Sequence, residues 1–357
     1  MGERFLMKGN EALAEAAILA GCRHYFGYPI TPQNEVGTYM SKRMPKIGGT
    51  FLQAESEIAA INMVLGAAAA GARAMTSSSS PGISLKTEGI SYMAGSDLPG
   101  VILNVQRGGP GLGGIQPSQA DYFQATRAPG HGDLHVLVFA PATVQEMVDA
   151  VFEAFDLAEQ YRMPALILAD GLLGQMMEPV ELPERDVTPL PKPWAVGAND
   201  GSRPRNVVNS LFLKPEELEK LILSRFERYA EVERKHSRCE EYLTDDADVL
   251  TVAYGATARV VRAAVDEARA GGVKAGLLRP VTLWPFPKQQ LKAAASRAQD
   301  VLVVEMSMGQ MVDDVRLYTQ EQTPVHFYGR TGGIVPAPSE VLAQIERLHT
   351  AQQGGNR

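Results

Sequence analysis

Short apolar runs alternate with helical patterns across the first half of this chain. Glycine-, serine- and carboxylate-rich motifs fall just after the runs, and this arrangement constrains the fold more than any other feature. Residues 24–28 (HYFGY), 50–54 (TFLQA), 73–77, 100–106 (GVILNVQ), 134–139 and 164–169 read as strands. Between them, residues 10–21, 56–71, 83–94 and 143–160 have helical character, with apolar positions at helical spacing. The alternation predicts an α/β fold: a parallel sheet with helices on both faces. Ligands of such sheets gather in the loops beyond the carboxyl ends of the strands.

The pattern breaks between Pro183 and Pro204. Pro189, Pro191 and Pro193 fall in the same stretch, which reads as a linker. Residues 215–243 are highly charged and helical, open at Pro215, and read as a solvated connecting arm. A second α/β unit follows, with strands at 249–254, 275–278, 301–305 and 324–327 and a helix at 257–270. The expected organisation is therefore a first domain over 1–190, a linker and charged arm over 191–245, and a second domain over 246–350.

Composition excludes several function classes. With 34 Lys plus Arg against 41 Asp plus Glu, the net charge is −7, so there is no basic footprint for nucleic acid or an anionic membrane. Cys22 and Cys239, the two cysteines, make no disulfide framework and cannot alone hold a four-thiolate cluster. The N-terminus carries Glu3, Arg4 and Lys8 rather than an apolar leader, and the alanine-rich stretch Met63 to Ala72 is too short to span a bilayer. A soluble, cytoplasmic protein is expected.

Three motifs at strand ends carry the candidate chemistry. In Gly27-Tyr28-Pro29-Ile30-Thr31-Pro32, two prolines fix the backbone around the Thr31 hydroxyl; composition alone favours a rigid turn here. In Gln53-Ala54-Glu55-Ser56-Glu57-Ile58, two carboxylates stand before an apolar helix. A partly buried carboxylate there suits a ligand nitrogen, and an acidic residue there equally suits the helix dipole. Gln106-Arg107 ends a buried strand before five glycines, Gly108 to Gly114, and an arginine so placed can fork onto a carboxylate. Gly109, Gly111 and Gly114 also match G-x-G-x-x-G, but Pro110 and Pro117 argue against a dinucleotide site. Ser77 to Ser80 form a polar loop at a fourth strand end. No G-x-S-x-G elbow is present, and His131 and His135 read as loop histidines rather than a metal pair. No metal site is assigned to this chain.

These motifs, in this order and spacing, resemble the alpha subunit of 2-oxoacid:ferredoxin oxidoreductases. The matching segments are LMKGNEALAEAAILAGCRHYFGYPITPQNE, FLQAESEIAAINMVLGAAAAGARAMTSSSSPG, NVQRGGPGLGGIQPSQADYFQA, LLRPVTLWPFP and VVEMSMGQM. The likeness runs over nearly the whole chain. It is greatest to the branched-chain (3-methyl-2-oxobutanoate) type and next to the 2-oxoglutarate type. The resemblance implies a thiamine-diphosphate-binding pyrimidine-type domain over residues 1–190 and a transketolase C-terminal-like α/β domain from residue 246. It implies a heteromer in which a beta subunit carries the diphosphate–Mg2+ site and a 4Fe-4S cluster. The absence of a Gly-Asp-Gly signature agrees with that division. Gamma and ferredoxin-like delta subunits accompany the branched-chain type.

The implied reaction is CoA-acylating oxidative decarboxylation of a 2-oxoacid to acyl-CoA and CO2, with electrons passing to ferredoxin. Carried over by motif, Glu57 matches the glutamate on the aminopyrimidine ring nitrogen, by its spacing to Gly66. Pro29, Ile30 and Thr31 match the cofactor-contacting turn, and Thr31 and Arg107 match the pair facing the substrate. Two other readings are set beside this one: a non-catalytic scaffold subunit, and a dinucleotide-dependent oxidoreductase using the glycine loop.

Overall fold

The computed structural model describes residues 3–355, apart from residues 185, 186, 188, 189, 198, 321 and 322. Pro189 of the expected linker thus lies outside the described residues. The first half supplies six strands of a seven-stranded sheet in the order Thr282–Trp284, Leu137–Phe139, Pro164–Asp170, Gly100–Gln106, Ala74–Ser78, His24–Gly27 and Thr50–Gln53. Six of these strands run parallel, as strands joined through helices must. Every residue of Gly100–Gln106 and Pro164–Asp170 is buried, so these apolar runs form the sheet's centre, covered on both faces.

The small-residue helix Glu57–Ala69 packs closely on the helix Ser80–Gly95. At their crossing Gly89 meets Ile61, and a side chain at 89 would overlap it. The short serine loop before Ser80 ends at the N-cap, Ser79, so the helix starts three residues before the expected position 83.

The second sheet is ordered Val325–Gly329, Asp300–Glu305, Val249–Val252, Ala275–Pro280 and Cys239–Tyr242. The last strand is antiparallel to Ala275–Pro280, and the rest are parallel. The charged stretch 215–243 is therefore not one solvated arm. Its helix ends at His236, and Cys239–Tyr242 joins the second sheet. One face of the helix is docked: Arg225, Tyr229 and Val232 are buried, and the Tyr229 ring packs edge-on against His135 and Trp284. Arg225 and Arg228 both reach the Asp97 carboxylate, at 3.0 and 2.5 Å. Charge density in the sequence hid this buried stripe. A two-stranded ribbon, Arg4–Lys8 against Met177–Glu181, was also hidden, because both segments are short and lie far apart in the chain.

The two halves meet through the segment after the glycine loop. Gln119, fully buried, donates from Nε2 to the Tyr254 carbonyl (2.8 Å). Its Oε1 accepts from Thr257 Oγ1 (2.7 Å) and from the Met306 amide (3.0 Å). Tyr122 donates its hydroxyl to Asp314 (2.6 Å), and Arg127 pairs with the same carboxylate (2.7 Å). Among the described residues no helix is long and apolar enough to cross a membrane. Both cysteines are free.

Replacing Gln119 with Ala strands a buried carbonyl, a hydroxyl and an amide at the junction of the halves. At roughly 1–3 kcal/mol for each buried group left without its partner, Gln119→Ala is expected to lower the urea midpoint by an amount equivalent to at least about 2 kcal/mol. Equilibrium denaturation followed by tryptophan fluorescence checks it.

Candidate active site

Four parallel strands end side by side, and the candidate residues sit just beyond them. Glu57 is the first residue of its helix. Extended Ser56 precedes it as N-cap, its hydroxyl accepting the Ala59 amide at 3.2 Å. The turn buries Glu57 and leaves Glu55 exposed, so the two carboxylates that the sequence left equivalent stand in different environments. Glu57 faces Ser78 and Gly82; a Cβ at position 82 would collide with the Ser78 hydroxyl and come within 2.7 Å of Glu57 Oε1. Among the described residues no hydrogen bond or ion pair engages the Glu57 carboxylate, while its backbone carbonyl accepts Lys86 Nζ at 3.3 Å.

Thr31 and Arg107 come together on the next wall. Arg107, buried, donates from Nη1 to the Thr31 carbonyl (3.0 Å) and from Nη2 to the Leu112 carbonyl (3.1 Å), while its Nε is buried without a partner. The guanidinium is thus aimed by two backbone carbonyls. The Thr31 hydroxyl accepts from Asn34 Nδ2 at 3.2 Å. Pro29 is exposed and lines a cavity of about 340 Å³ with Tyr28, Gln33 and Phe51, and Ile30 is half-buried between it and Thr31. Thr31 itself lines a second cavity, of about 700 Å³, between the two halves of the chain. Among the described residues no hydrogen bond or ion pair links Glu57 to Thr31 or Arg107; what the three share is a position beyond three of the four neighbouring strand ends.

Beneath them lies a buried polar network that the motifs did not reveal. Ser80 Oγ accepts the Arg107 amide (3.0 Å) and donates to Asp121 (2.6 Å), which also accepts Asn104 Nδ2 (2.8 Å). Burial pushes the Asp121 carboxyl up, opposed by these two hydrogen bonds. Ser77 Oγ sits between Tyr25 (2.6 Å) and Gln33 (2.5 Å), while the buried hydroxyls of Ser78 and Ser79 have no partner. The one sequence signal for Lys86 was its place on the stripe Ile83, Lys86, Ile90, Met93, where an apolar residue belongs.

Other candidates are otherwise engaged. The glycine loop leads into irregular chain and then a helix of five residues, Tyr122–Thr126, so no helix begins where a dinucleotide phosphate would need one. Arg73 lies at the amino end of the sheet, on Asp156 (3.0 Å) and Glu159 (2.8 Å). His135 stacks on Trp284 at 4.6 Å, and burial lowers its pKa. The His131 carbonyl accepts from Ser91. Among the described residues no group of three or more His, Cys, Asp or Glu side chains is placed to hold a metal.

A buried carboxylate free of donors, with the unpartnered Ser78 hydroxyl and a mandatory glycine beside it, fits a polar ring that presents an N–H. The sequence comparisons agree. The family described as "Pyruvate flavodoxin/ferredoxin oxidoreductase, thiamine diP-bdg" matches residues 15–230, and "Pyruvate:ferredoxin oxidoreductase core domain II" matches residues 247–341. The chain belongs to the 2-oxoacid:ferredoxin oxidoreductase family. Its fold is a thiamine-diphosphate-binding domain followed by a transketolase C-terminal-like domain. It is 49% identical to the ketoisovalerate oxidoreductase subunit VorB of Methanothermobacter marburgensis, over 96% of this chain and 97% of that one. It is 37% identical to the 2-oxoglutarate synthase subunit KorA of Methanothermobacter thermautotrophicus, over 98% of this chain and 100% of that one. Among solved structures, the 2-oxoglutarate:ferredoxin oxidoreductase from Magnetococcus marinus, with 2-oxoglutarate, coenzyme A and succinyl-CoA bound, superposes with a TM-score of 0.87 at 28% identity. That match covers 97% of this chain and 65% of the other, so this chain spans just under two thirds of its length.

Gly82→Ala is expected to push against both the Ser78 hydroxyl and the Glu57 carboxylate and to displace that carboxylate. Misplacing a catalytic group by about 1 Å costs about 10²-fold, so the variant complex should lose activity on that scale in a viologen-reduction assay. The fold should persist by circular dichroism.

Proposed function

We propose that this chain is the alpha half of a CoA-acylating 2-oxoacid:ferredoxin oxidoreductase acting on branched-chain 2-oxoacids such as 3-methyl-2-oxobutanoate. The single observation that carries the reading is the buried, donor-free Glu57 carboxylate at a strand end beside Gly82. Thiamine diphosphate, when bound, supplies the electron sink for cleaving the carbon–carbon bond next to the keto group. This chain's residues supply placement. Glu57 would hold the aminopyrimidine by a hydrogen bond at its ring nitrogen, with Pro29, Ile30 and Thr31 forming the adjacent turn. The Thr31 hydroxyl and the Arg107 guanidinium would orient the oxoacid carboxylate and carbonyl.

The remaining parts of the reading concern partners. A beta subunit would hold the diphosphate through Mg2+ and carry the 4Fe-4S cluster that passes electrons to ferredoxin; the two cysteines of this chain are too few for a four-thiolate cluster. Coenzyme A would take the acyl group, and gamma and ferredoxin-like delta subunits would complete the assembly. A cytoplasmic location belongs to the same reading, supported by the two free thiols.

The choice of a branched acyl group over 2-oxoglutarate rests on the cavity beside Thr31. Ile115, Pro117, Leu172, Met176 and Val335 give it apolar walls. Its one charged lining residue is Glu35. Burial pushes the Glu35 carboxyl up, but hydrogen bonds from Gln175 and Asn10, with Lys8 at 3.7 Å, prevail and hold it below its usual range. A distal carboxylate would meet this anion.

The test is the reconstituted complex of this chain and its partner subunit, assayed for 2-oxoacid- and CoA-dependent viologen reduction. The expected kcat/KM for a branched-chain 2-oxoacid exceeds that for 2-oxoglutarate by at least about 10²-fold. Glu57→Ala should lower turnover by about 10²-fold or more. Wild-type turnover in Glu57→Ala, or undiminished turnover after changing Thr31, Glu57 and Arg107 together, would leave the scaffold reading instead.

A further inference from the structure

The helix Ser80–Gly95 touches Glu57 at two places one turn apart. Gly82 makes room for the carboxylate. Four residues on, Lys86 extends along the same face and its Nζ donates to the Glu57 carbonyl at 3.3 Å. Lys86 has no exposed surface. It lies on a stripe whose other members, Ile83, Ile90 and Met93, are apolar and buried.

A lysine in this position has no packing rationale. An ammonium carries three donors, and among the described residues one acceptor, the Glu57 carbonyl, meets them. Lysine is almost never fully buried unless paired, because stripping water from the charge costs several kcal/mol. Burial accordingly draws its pKa down to about 8, and the negative charge of Glu57 acts in the opposite direction. A methionine would fill the same space without that cost. The charge is therefore retained for something close by, and the ionisable group whose charge acts on it is Glu57.

We propose that Lys86 is a positioning residue for Glu57: from the neighbouring helix it pins the first turn of Glu57–Ala69 by its carbonyl and sets a buried positive charge beside the carboxylate. The carboxylate is thereby held in one place before any ring arrives. Lys86 touches neither substrate nor reacting atoms; it acts through Glu57. The inference rests on the reading of Glu57 as the carboxylate that receives the aminopyrimidine.

Lys86→Met keeps length and removes both charge and donors. In the complex with the partner subunit, thiamine diphosphate affinity is measured by titration of intrinsic fluorescence, together with kcat and KM for the 2-oxoacid. Outer partners of a ligand-holding group typically contribute 10–100-fold, so the variant should bind thiamine diphosphate at least about 10-fold more weakly and lose a similar factor in kcat. KM for the 2-oxoacid should stay within about 2-fold, because Arg107 and Thr31 are untouched. Lys86→Arg restores charge and donors and should recover part of the loss; a merely space-filling residue would give no such rescue. Wild-type cofactor affinity and kcat in Lys86→Met would overturn the proposal. Where Lys86→Met fails to assemble, Lys86→Gln, which keeps a donor without the charge, is read in its place. Failure of both to assemble would make the residue structural and overturn it too. A wild-type complex that binds no thiamine diphosphate would instead end the reading of Glu57 itself.

Discussion

One hydroxyl fastens the strand ends together. Ser80 Oγ accepts the amide of Arg107 and donates to Asp121, and Asn104 holds both the Ser80 amide and the Asp121 carboxylate. These four residues come from the end of the strand Gly100–Gln106, the helix that follows the neighbouring strand and the segment beyond the glycine loop. The network is buried, so each member depends on the others for its hydrogen bonds. It fixes the direction in which Arg107 leaves its strand. It also fixes where the chain begins its run of contacts with the second half, since Gln119 and Tyr122 flank Asp121. Substrate-facing geometry and docking of the halves therefore share one origin.

The buried charges of this molecule fall into two kinds. Arg73, at the amino end of the sheet, makes three hydrogen bonds, to the Ala20 carbonyl, Asp156 and Glu159. Glu305, deep in the second half, has its carboxyl pushed up by burial, while the amides of Gln310, Met311 and Val312 and the Ser307 hydroxyl oppose the shift. Such groups are stabilised by what surrounds them. At the carboxyl end, Glu57, Lys86 and the hydroxyls of Ser78 and Ser79 are buried with little or nothing to satisfy them. A fold keeps such costs where they serve binding.

The sheet was legible because its signals are local. GVILNVQ is apolar throughout because both of its faces are covered, and the alternation with helices dictates parallel pairing. The strand-end motifs followed from that topology. Their roles did not: Glu55 and Glu57 differ by which way one turn points, and only the family resemblance chose between them. Ser80 stood out only as part of a polar loop, and its network with Asn104 and Asp121 was invisible because the partners lie 17 to 41 residues apart in the chain. The helix Pro215–His236 misled for a different reason. Its buried stripe holds few apolar residues, and one member is Arg225, whose charge is met by Asp97. Tertiary pairing overrode composition there.

Thr282–Trp284 belongs by sequence to the second half, yet it pairs antiparallel with Leu137–Phe139 as the outermost strand of the first sheet. The halves are thus stitched by backbone as well as by side chains. Severing the polypeptide between them would bare an apolar ladder, with Leu137, Val138 and Phe139 facing solvent along an open rim. In evolutionary terms, the two halves cannot be shuffled as independent modules: a new fusion partner would have to bring its own strand to seal that rim.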